Sequence, residues 1–254
     1  LATHLSDTLD PGQAIDIFVF HELCEQLAEK AGLSGKLDQS SADLYTHIYP
    51  STALEAIRST GGGPIYDTLI VDEGQDLLID RYIDVFDALL KDGINGGKWA
   101  FFFDPNQNIY LKQDSEEKIL SRLRAARPFQ HQLRINCRNT RGISDVASTL
   151  SGKPPMEVSE ISGPIPDITF YNSPQQQSRQ VSLTVKRWLD QGIPLNDIVI
   201  LSRFRLENSG LSRGLDGEIL SLPLKNLEIG EPPTENTVIY STIHSFKGLE
   251  SEFV

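Results

Sequence analysis

Cysteine, methionine and positive charge are scarce in this sequence. Its 254 residues hold two cysteines and one methionine, and 23 lysines and arginines stand against 35 acidic residues. Cys24 and Cys137 lie far apart and match no zinc-ligand spacing, which excludes a disulfide scaffold and makes a reducing, cytoplasmic compartment the expectation. A net charge of -12 excludes bulk electrostatic adhesion to nucleic acid or to an anionic membrane, so any nucleic-acid contact must be local, in a groove. No apolar run approaches the ~20 residues of a membrane-spanning helix, and no signal-peptide pattern opens the chain. The sequence starts at Leu1, its one methionine is Met156, and Glu252-Phe253-Val254 reads as a strand in progress, so a piece of a longer protein is expected.

What is present is a regular alternation. Apolar runs of strand length occur at Ile15–Phe20, Thr68–Val71, Trp99–Phe103, Asp167–Tyr171, Ile198–Leu201 and Thr237–Ile243. Between them lie segments of helical period, such as Ile79, Tyr82, Ile83, Phe86, Leu89 and Leu90, or Val181, Val185, Trp188 and Leu189. Alternation of this kind predicts an α/β fold in which helices pack on parallel sheets. Gly32, Gly93 and Gly192 are placed to end helices. The Pro/Gly-rich stretch Ser151–Pro166 is the compositional candidate for a domain boundary, and a second loose stretch covers about 207–236. There is no internal repeat.

Four stretches carry chemistry. In YDTLIVDEGQDLLID an apolar strand runs into Asp72, Glu73 and Asp76, carboxylates that repel one another unless a cation or a helix N-terminus meets them. At the carboxyl end of a parallel strand, Asp72 can hold Mg²⁺ and Glu73 can polarise an attacking water. Alternatively, Asp72 and Asp76 cap and charge the next helix, which leaves Glu73 and Gln75 unexplained. In KWAFFFDPNQNIY a strand ends at Asp104, and Gln107 offers an amide donor and acceptor to a phosphate or its water. There Tyr110 offers a face to a base, or else DPNQN is a polar turn with Tyr110 in the core. In HQLRINCRNTRGISDVASTL, Arg134, Arg138 and Arg141 precede a helix with apolar positions Ile143, Val146, Ala147 and Leu150. Such a cluster suits phosphate, and it also suits an ordinary solvated helix start. In VIYSTIHSFKGLESEF, Thr242, His244 and Ser245 follow a strand and Lys247-Gly248 opens a turn, groups able to hold phosphate.

The order and spacing of these stretches resemble superfamily 1 helicases of the UvrD/Rep type, over most of the chain. VDEGQD resembles their motif II, FDPNQNIY motif III, LRINCRNT motif IV and STIHSFKGLESEF motif V; IDIFVFHELCEQL is similar to the segment after motif Ia. The resemblance implies two RecA-like (P-loop NTPase) parallel-sheet domains, 1–130 and 131–254, the first incomplete at its N-terminus and the second at its C-terminus. ATP would bind in the cleft between them and single-stranded nucleic acid, DNA more than RNA, across their tops. It implies that Asp72 holds Mg²⁺, Glu73 orients or activates the hydrolytic water, Gln107 senses the γ-phosphate and Arg138 acts as an arginine finger in cis. Gln75, Asp104, Lys247, Gly248 and Glu250 would serve the nucleotide, and Tyr110, Thr242 and His244 the nucleic acid.

The chain departs from the family pattern. Phe103 stands where motif III usually has Gly, and Cys137 where motif IV commonly has Tyr. No Walker A loop is present: GLSGKL, Gly32–Leu37, has the wrong glycine spacing, lacks Ser or Thr after Lys36 and follows a helix. Motif VI is also missing, and the short spans before motif II and between motifs IV and V leave no room for a 2B-type insertion. The expectation is a fragment that alone neither hydrolyses ATP well nor unwinds duplex, from a parent that does both. The rival expectations are a non-catalytic module that binds nucleic acid or protein through a helicase-like fold, and a nucleotide-binding regulator unrelated to nucleic acid.

Overall fold

Phe20, Leu23, Cys24, Leu27 and Ala28 recur at helical spacing, and all five are buried on one face of the first described helix, α1 (Phe20–Lys30). The computed structural model describes residues 15–59, 61, 65–104, 107, 113–154, 157–158, 161–214, 224–226, 237–247, 249, 251 and 253–254. Two compact units divide the chain, Leu1–Gln132 and Leu133–Val254.

In the first unit α1 is followed by a 3₁₀ turn at Ser34–Lys36, a π-helical turn at Leu44–Ile48 and α2 (Tyr49–Ser59). Then come strand β1 (Thr68–Val71), a 3₁₀ turn (Gly74–Leu77), α3 (Asp80–Leu89), a short α4 (Gly93–Gly96), β2 (Lys98–Phe101) and α5 (Gln113–Ala125). The two strands pair in parallel, Val71 opposite Phe101. One face of this ribbon, Leu69, Val71, Trp99 and Phe101, packs into the core with Phe20, Tyr82, Ile83, Phe86 and Leu89. Within it Phe20 stacks on Tyr82 at 4.1 Å between centroids, and Trp99 Nε1 donates to the Ile94 carbonyl at 2.7 Å, which seats α4 against β2. The opposite face leaves Ile70 70% exposed.

The second unit contains β3 (Ile135–Asn136), α6 (Arg141–Ser151), β4 (Glu157–Val158), α7 (Pro174–Asp190), β5 (Val199–Ser202), a short α8 (Gly210–Gly214), β6 (Leu224–Asn226) and β7 (Val238–Thr242). Strands β3 and β4 pair in parallel, and the larger sheet has the order β5-β7-β6, also parallel. Among the described residues Val185, Ile198 and Val238 form a buried cluster, with Trp188, Leu189 and Phe253 packed against it, and Val199, Leu211, Ile239 and Tyr240 are buried as well. Ser173 caps α7 by accepting the Gln176 N–H at 3.1 Å, and Pro174 occupies the first turn, where its missing N–H costs nothing.

The architecture is therefore mixed α/β with short parallel sheets, as the alternation predicts. Several local expectations fail. Ile15–Val19 makes no strand among the described residues, because the helical spacing that starts at Phe20 captures the end of the run. Asp167–Tyr171 joins no described ladder and leaves Phe170 86% exposed. The apolar side of α6 is largely open as well, with Ile143 and Leu150 exposed, so among the described residues its helical period marks a face that its unit covers only in part. Gly32 and Gly192 follow their helices with left-handed φ of 71° and 86°, but after α3 the chain first extends at Leu90 and only then takes positive φ, at Asp92 and Gly93. Ser151–Pro166 is no boundary: it lies inside the second unit, where Glu157–Val158 is tied to Ile135–Asn136.

Candidate functional site

The parallel register of β1 and β2 brings two loops together beyond the strands' carboxyl ends. The Phe102 N–H donates to the Val71 carbonyl at 2.8 Å, and the Gly74 N–H donates to the Phe102 carbonyl at 2.8 Å, so the ladder continues past both strands. This places Asp72-Glu73-Gly74-Gln75 beside Phe102-Phe103-Asp104. The approach is close at Gly74: a Cβ there would stand 3.2 Å from the Phe102 carbonyl oxygen and 3.3 Å from Phe101 Cδ1, so these neighbours would have to give by a few tenths of an ångström.

Glu73 has φ 50° and ψ 39°, a left-handed conformation that a non-glycine residue adopts at a cost of ~1–3 kcal/mol. Backbone strain of this kind persists where the surroundings over-determine it, and here they do. The Glu73 carbonyl accepts the Asp76 N–H at 3.0 Å as the 3₁₀ turn begins, and its side chain accepts a hydrogen bond from Gln75 Nε2. Gln75 is fully buried, and its Oε1 accepts the Asp104 backbone N–H at 3.0 Å. On the far side Gln107 donates twice to Asp104, from its backbone N–H to the carbonyl at 3.0 Å and from Nε2 to Oδ2 at 3.1 Å. Asp72 and Glu73 are exposed and Asp104 is half-buried, so carboxylates line a solvent-facing edge stiffened from beneath.

Five sequence-predicted residues, Asp72, Glu73, Gln75, Asp104 and Gln107, thus stand on adjacent loops of the first unit. One of them, Gln75, differs from expectation: its buried amide offers no surface to a cofactor. Among the described residues no three His, Cys, Asp or Glu side chains gather as a metal-binding group. That does not conflict with the donor set expected for Mg²⁺, which commonly takes one or two carboxylates and completes its shell with phosphate and water. The exposed Asp72 carboxylate fits such a role.

The remaining described candidates belong to the second unit. Arg138 is exposed, in a turn where Asn136 Oδ1 accepts the backbone N–H groups of Arg138 and Asn139 at 3.0 Å each. Thr242 ends β7, and its Oγ1 accepts the Ser245 N–H at 3.1 Å while bonding the Ser245 hydroxyl at 2.9 Å. Hydrogen bonds from the Phe246 N–H to the Thr242 carbonyl and from the Lys247 N–H to the His244 carbonyl, at 3.0 and 3.3 Å, coil the segment into a tight turn with His244 exposed. Tyr110, Gly248 and Glu250 lie outside the described residues. Lys36, the lysine of the rejected GLSGKL, sits in a 3₁₀ turn and pairs with Glu55 at 2.6 Å.

Two polar groups that sequence patterns did not single out join the core instead of a site. His21 Nε2 lies 2.9 Å from the Tyr82 hydroxyl, which donates to the Tyr45 carbonyl at 2.8 Å; the tyrosine proton is therefore committed, and His21 is the donor. Burial holds the His21 imidazole below its ordinary value, with Glu25 partly offsetting it, and pushes the Cys24 thiol up to about 12. Tyr49 donates to Glu25 beside them. The only sequence signal for this cluster is the close spacing of His21, Cys24 and Glu25 on one helix.

No protein-family model matches the chain, and no curated protein matches it. Among the described residues, no helix is long and apolar enough to cross a membrane.

Proposed function

We propose that the chain is part of an ATP-dependent helicase or translocase of the superfamily 1 UvrD/Rep type, coupling Mg-ATP hydrolysis to movement along single-stranded nucleic acid. DNA is the favoured strand, and two RecA-like domains are the proposed frame. The observation that supports this most is the placement of Glu73: a carboxylate at the carboxyl edge of a parallel sheet, beside Asp72, in a strained conformation fixed by a buried amide. A helix cap needs no such arrangement.

Bound magnesium would offset the negative charge that develops on the phosphate groups. Asp72 would hold that ion. Glu73 would accept a proton from the water as its oxygen attacks the γ-phosphorus and the bond to the β-phosphate bridging oxygen breaks, giving ADP and phosphate. Gln107, on the turn that Asp104 anchors, would meet the γ-phosphate with its amide. Arg138 takes the arginine-finger role, Lys247, Gly248 and Glu250 nucleotide roles, and Tyr110, Thr242 and His244 the strand, all by resemblance.

The test is oligonucleotide-stimulated ATP hydrolysis by the full-length protein, with anisotropy of a fluorescent single strand measured across a salt series as the binding readout. Hydrolysis that rises with single strand and disappears in Glu73→Gln supports the motor. Salt-sensitive strand binding without hydrolysis in wild type favours the non-catalytic module. Nucleotide binding with no strand binding favours a regulator.

A further inference from the structure

Gln75 is fully buried and in contact with the proposed water-activating residue, yet it has no surface on which to meet a substrate. Its two hydrogen bonds fix the direction of its amide. A backbone N–H can be met only by the amide oxygen, and a carboxylate only by the amide NH₂; rotating the group by half a turn would set like against like at both ends. Oε1 therefore holds the Asp104 N–H at 3.0 Å, and Nε2 holds Glu73 Oε2. Beyond Asp104 the chain of bonds continues to Gln107 through the Asp104 carbonyl and Oδ2, at 3.0 and 3.1 Å. Glu73, Gln75, Asp104 and Gln107 form one hydrogen-bonded line across two loops that are far apart in sequence.

We infer that Gln75 is a positioning residue that couples the Glu73 carboxylate to the Asp104–Gln107 turn, so that the two loops hold one geometry and shift together. This inference rests on the helicase reading, in which Glu73 serves the water and Gln107 the phosphate. Two features make the coupling stiff. The bond to Glu73 is charge-assisted and out of contact with solvent at the Gln75 end, where such bonds are strongest. The Gly74 N–H bond to the Phe102 carbonyl, at 2.8 Å, ties the first loop to the second a second time. A shift at Gln107 must therefore be felt at Glu73.

The experiment measures kcat and KM for Mg-ATP in the full-length protein bearing Gln75→Leu, Gln75→Asn, Glu73→Gln, or Gln75→Leu with Glu73→Gln. Leucine matches the volume without the amide, and asparagine keeps the amide on a shorter arm that cannot span both partners. Both single Gln75 variants should lose tenfold or more in kcat while KM stays within twofold. In single-turnover assays the double variant should be no slower than Glu73→Gln alone, because residues acting as a unit are non-additive. Independent, multiplying losses would overturn the inference, as would Gln75→Leu turning over within twofold of wild type. In ¹H–¹⁵N spectra the Gln75 side-chain NH₂ signals should lie away from the free-amide position and move in Glu73→Gln; signals at the free-amide position overturn the inference even if Gln75→Leu does not fold. Wild type without strand-stimulated hydrolysis, or Glu73→Gln without loss, overturns the helicase reading and this inference with it, a pattern distinct from failure at Gln75 alone.

Discussion

Replacing Gly74 by alanine tests the packing that joins the two site loops. The added methyl would stand 3.2 Å from the Phe102 carbonyl oxygen and 3.3 Å from Phe101 Cδ1, both tighter than ordinary van der Waals contact, and 3.4 Å from Phe103 Cβ, at its limit. Two of these neighbours cannot swing aside, since one is backbone and the other is the root of a side chain. The same carbonyl accepts the Gly74 N–H at 2.8 Å, so relief requires the loops to part and that bond to lengthen. Overpacking of this size costs about 1–3 kcal/mol, and weakening one neutral hydrogen bond adds about 0.5–1.5 kcal/mol. A destabilisation of ~2 kcal/mol is expected. Urea denaturation in a Trp188→Phe background, followed by Trp99 fluorescence, reads the first unit, because Trp99 packs in its core. The midpoint should fall while the slope is unchanged. A Gly74→Ala midpoint within 0.3 M of the parent, at a slope of ~2 kcal/mol/M, would refute the close-packed loop junction.

Thiol titration of the native protein at pH 8 should count one reactive cysteine, the exposed Cys137, and denaturation should release the second, because Cys24 is buried with its thiol pushed up to about 12; two fast thiols in the native state would contradict the described core. Burial lowers the His21 pKa in the fold, so the unfolded chain takes up its proton first as pH drops below the ordinary 6.5. The His21 contribution is therefore complete above that value and is lost as pH falls from there through the lowered folded value. The thermal midpoint of wild type should drop between pH 7.5 and 5.5 by more than that of His21→Gln, and equal drops would refute it. Ser173→Ala removes the acceptor at the start of α7 and should cost about 1 kcal/mol, read by urea denaturation through Trp188 in a Trp99→Phe background.

Where burial and backbone pairing agree with local pattern, the sequence is legible. Thr68–Val71 forms the strand its apolar run announces, and the helices that follow bury the residues that helical spacing picks out, from Tyr82 to Leu89. The gathering of Asp72, Glu73, Asp104 and Gln107 follows from the same logic, since adjacent parallel strands release their loops at one edge. Other features depend on partners that no local pattern names. The run at 15–20 has strand composition, yet Phe20 is drawn into the aromatic core by Tyr82 and Phe86. The apolar stripe of α6 and the run at 167–171 look like core, but among the described residues little covers them. At the site, Glu73 takes the left-handed conformation and Gly74 serves the close approach, a division of roles that no local pattern announces. The burial of Gln75 is likewise invisible from its neighbours, because three carboxylates around it suggest solvent.

The most direct measurement of the central proposal separates nucleotide binding from turnover at Glu73 in the full-length protein. Glu73→Gln keeps the size of the side chain and removes its ability to take a proton from water. Mg-ATP binding to wild type and variant, read with a fluorescent nucleotide, should agree within a few-fold, while single-turnover hydrolysis in the presence of single-stranded DNA should fall at least 100-fold, on the order of general-base catalysis. Equal hydrolysis rates in the two proteins, or loss of binding in step with loss of turnover, would contradict the assignment of Glu73 to the attacking water.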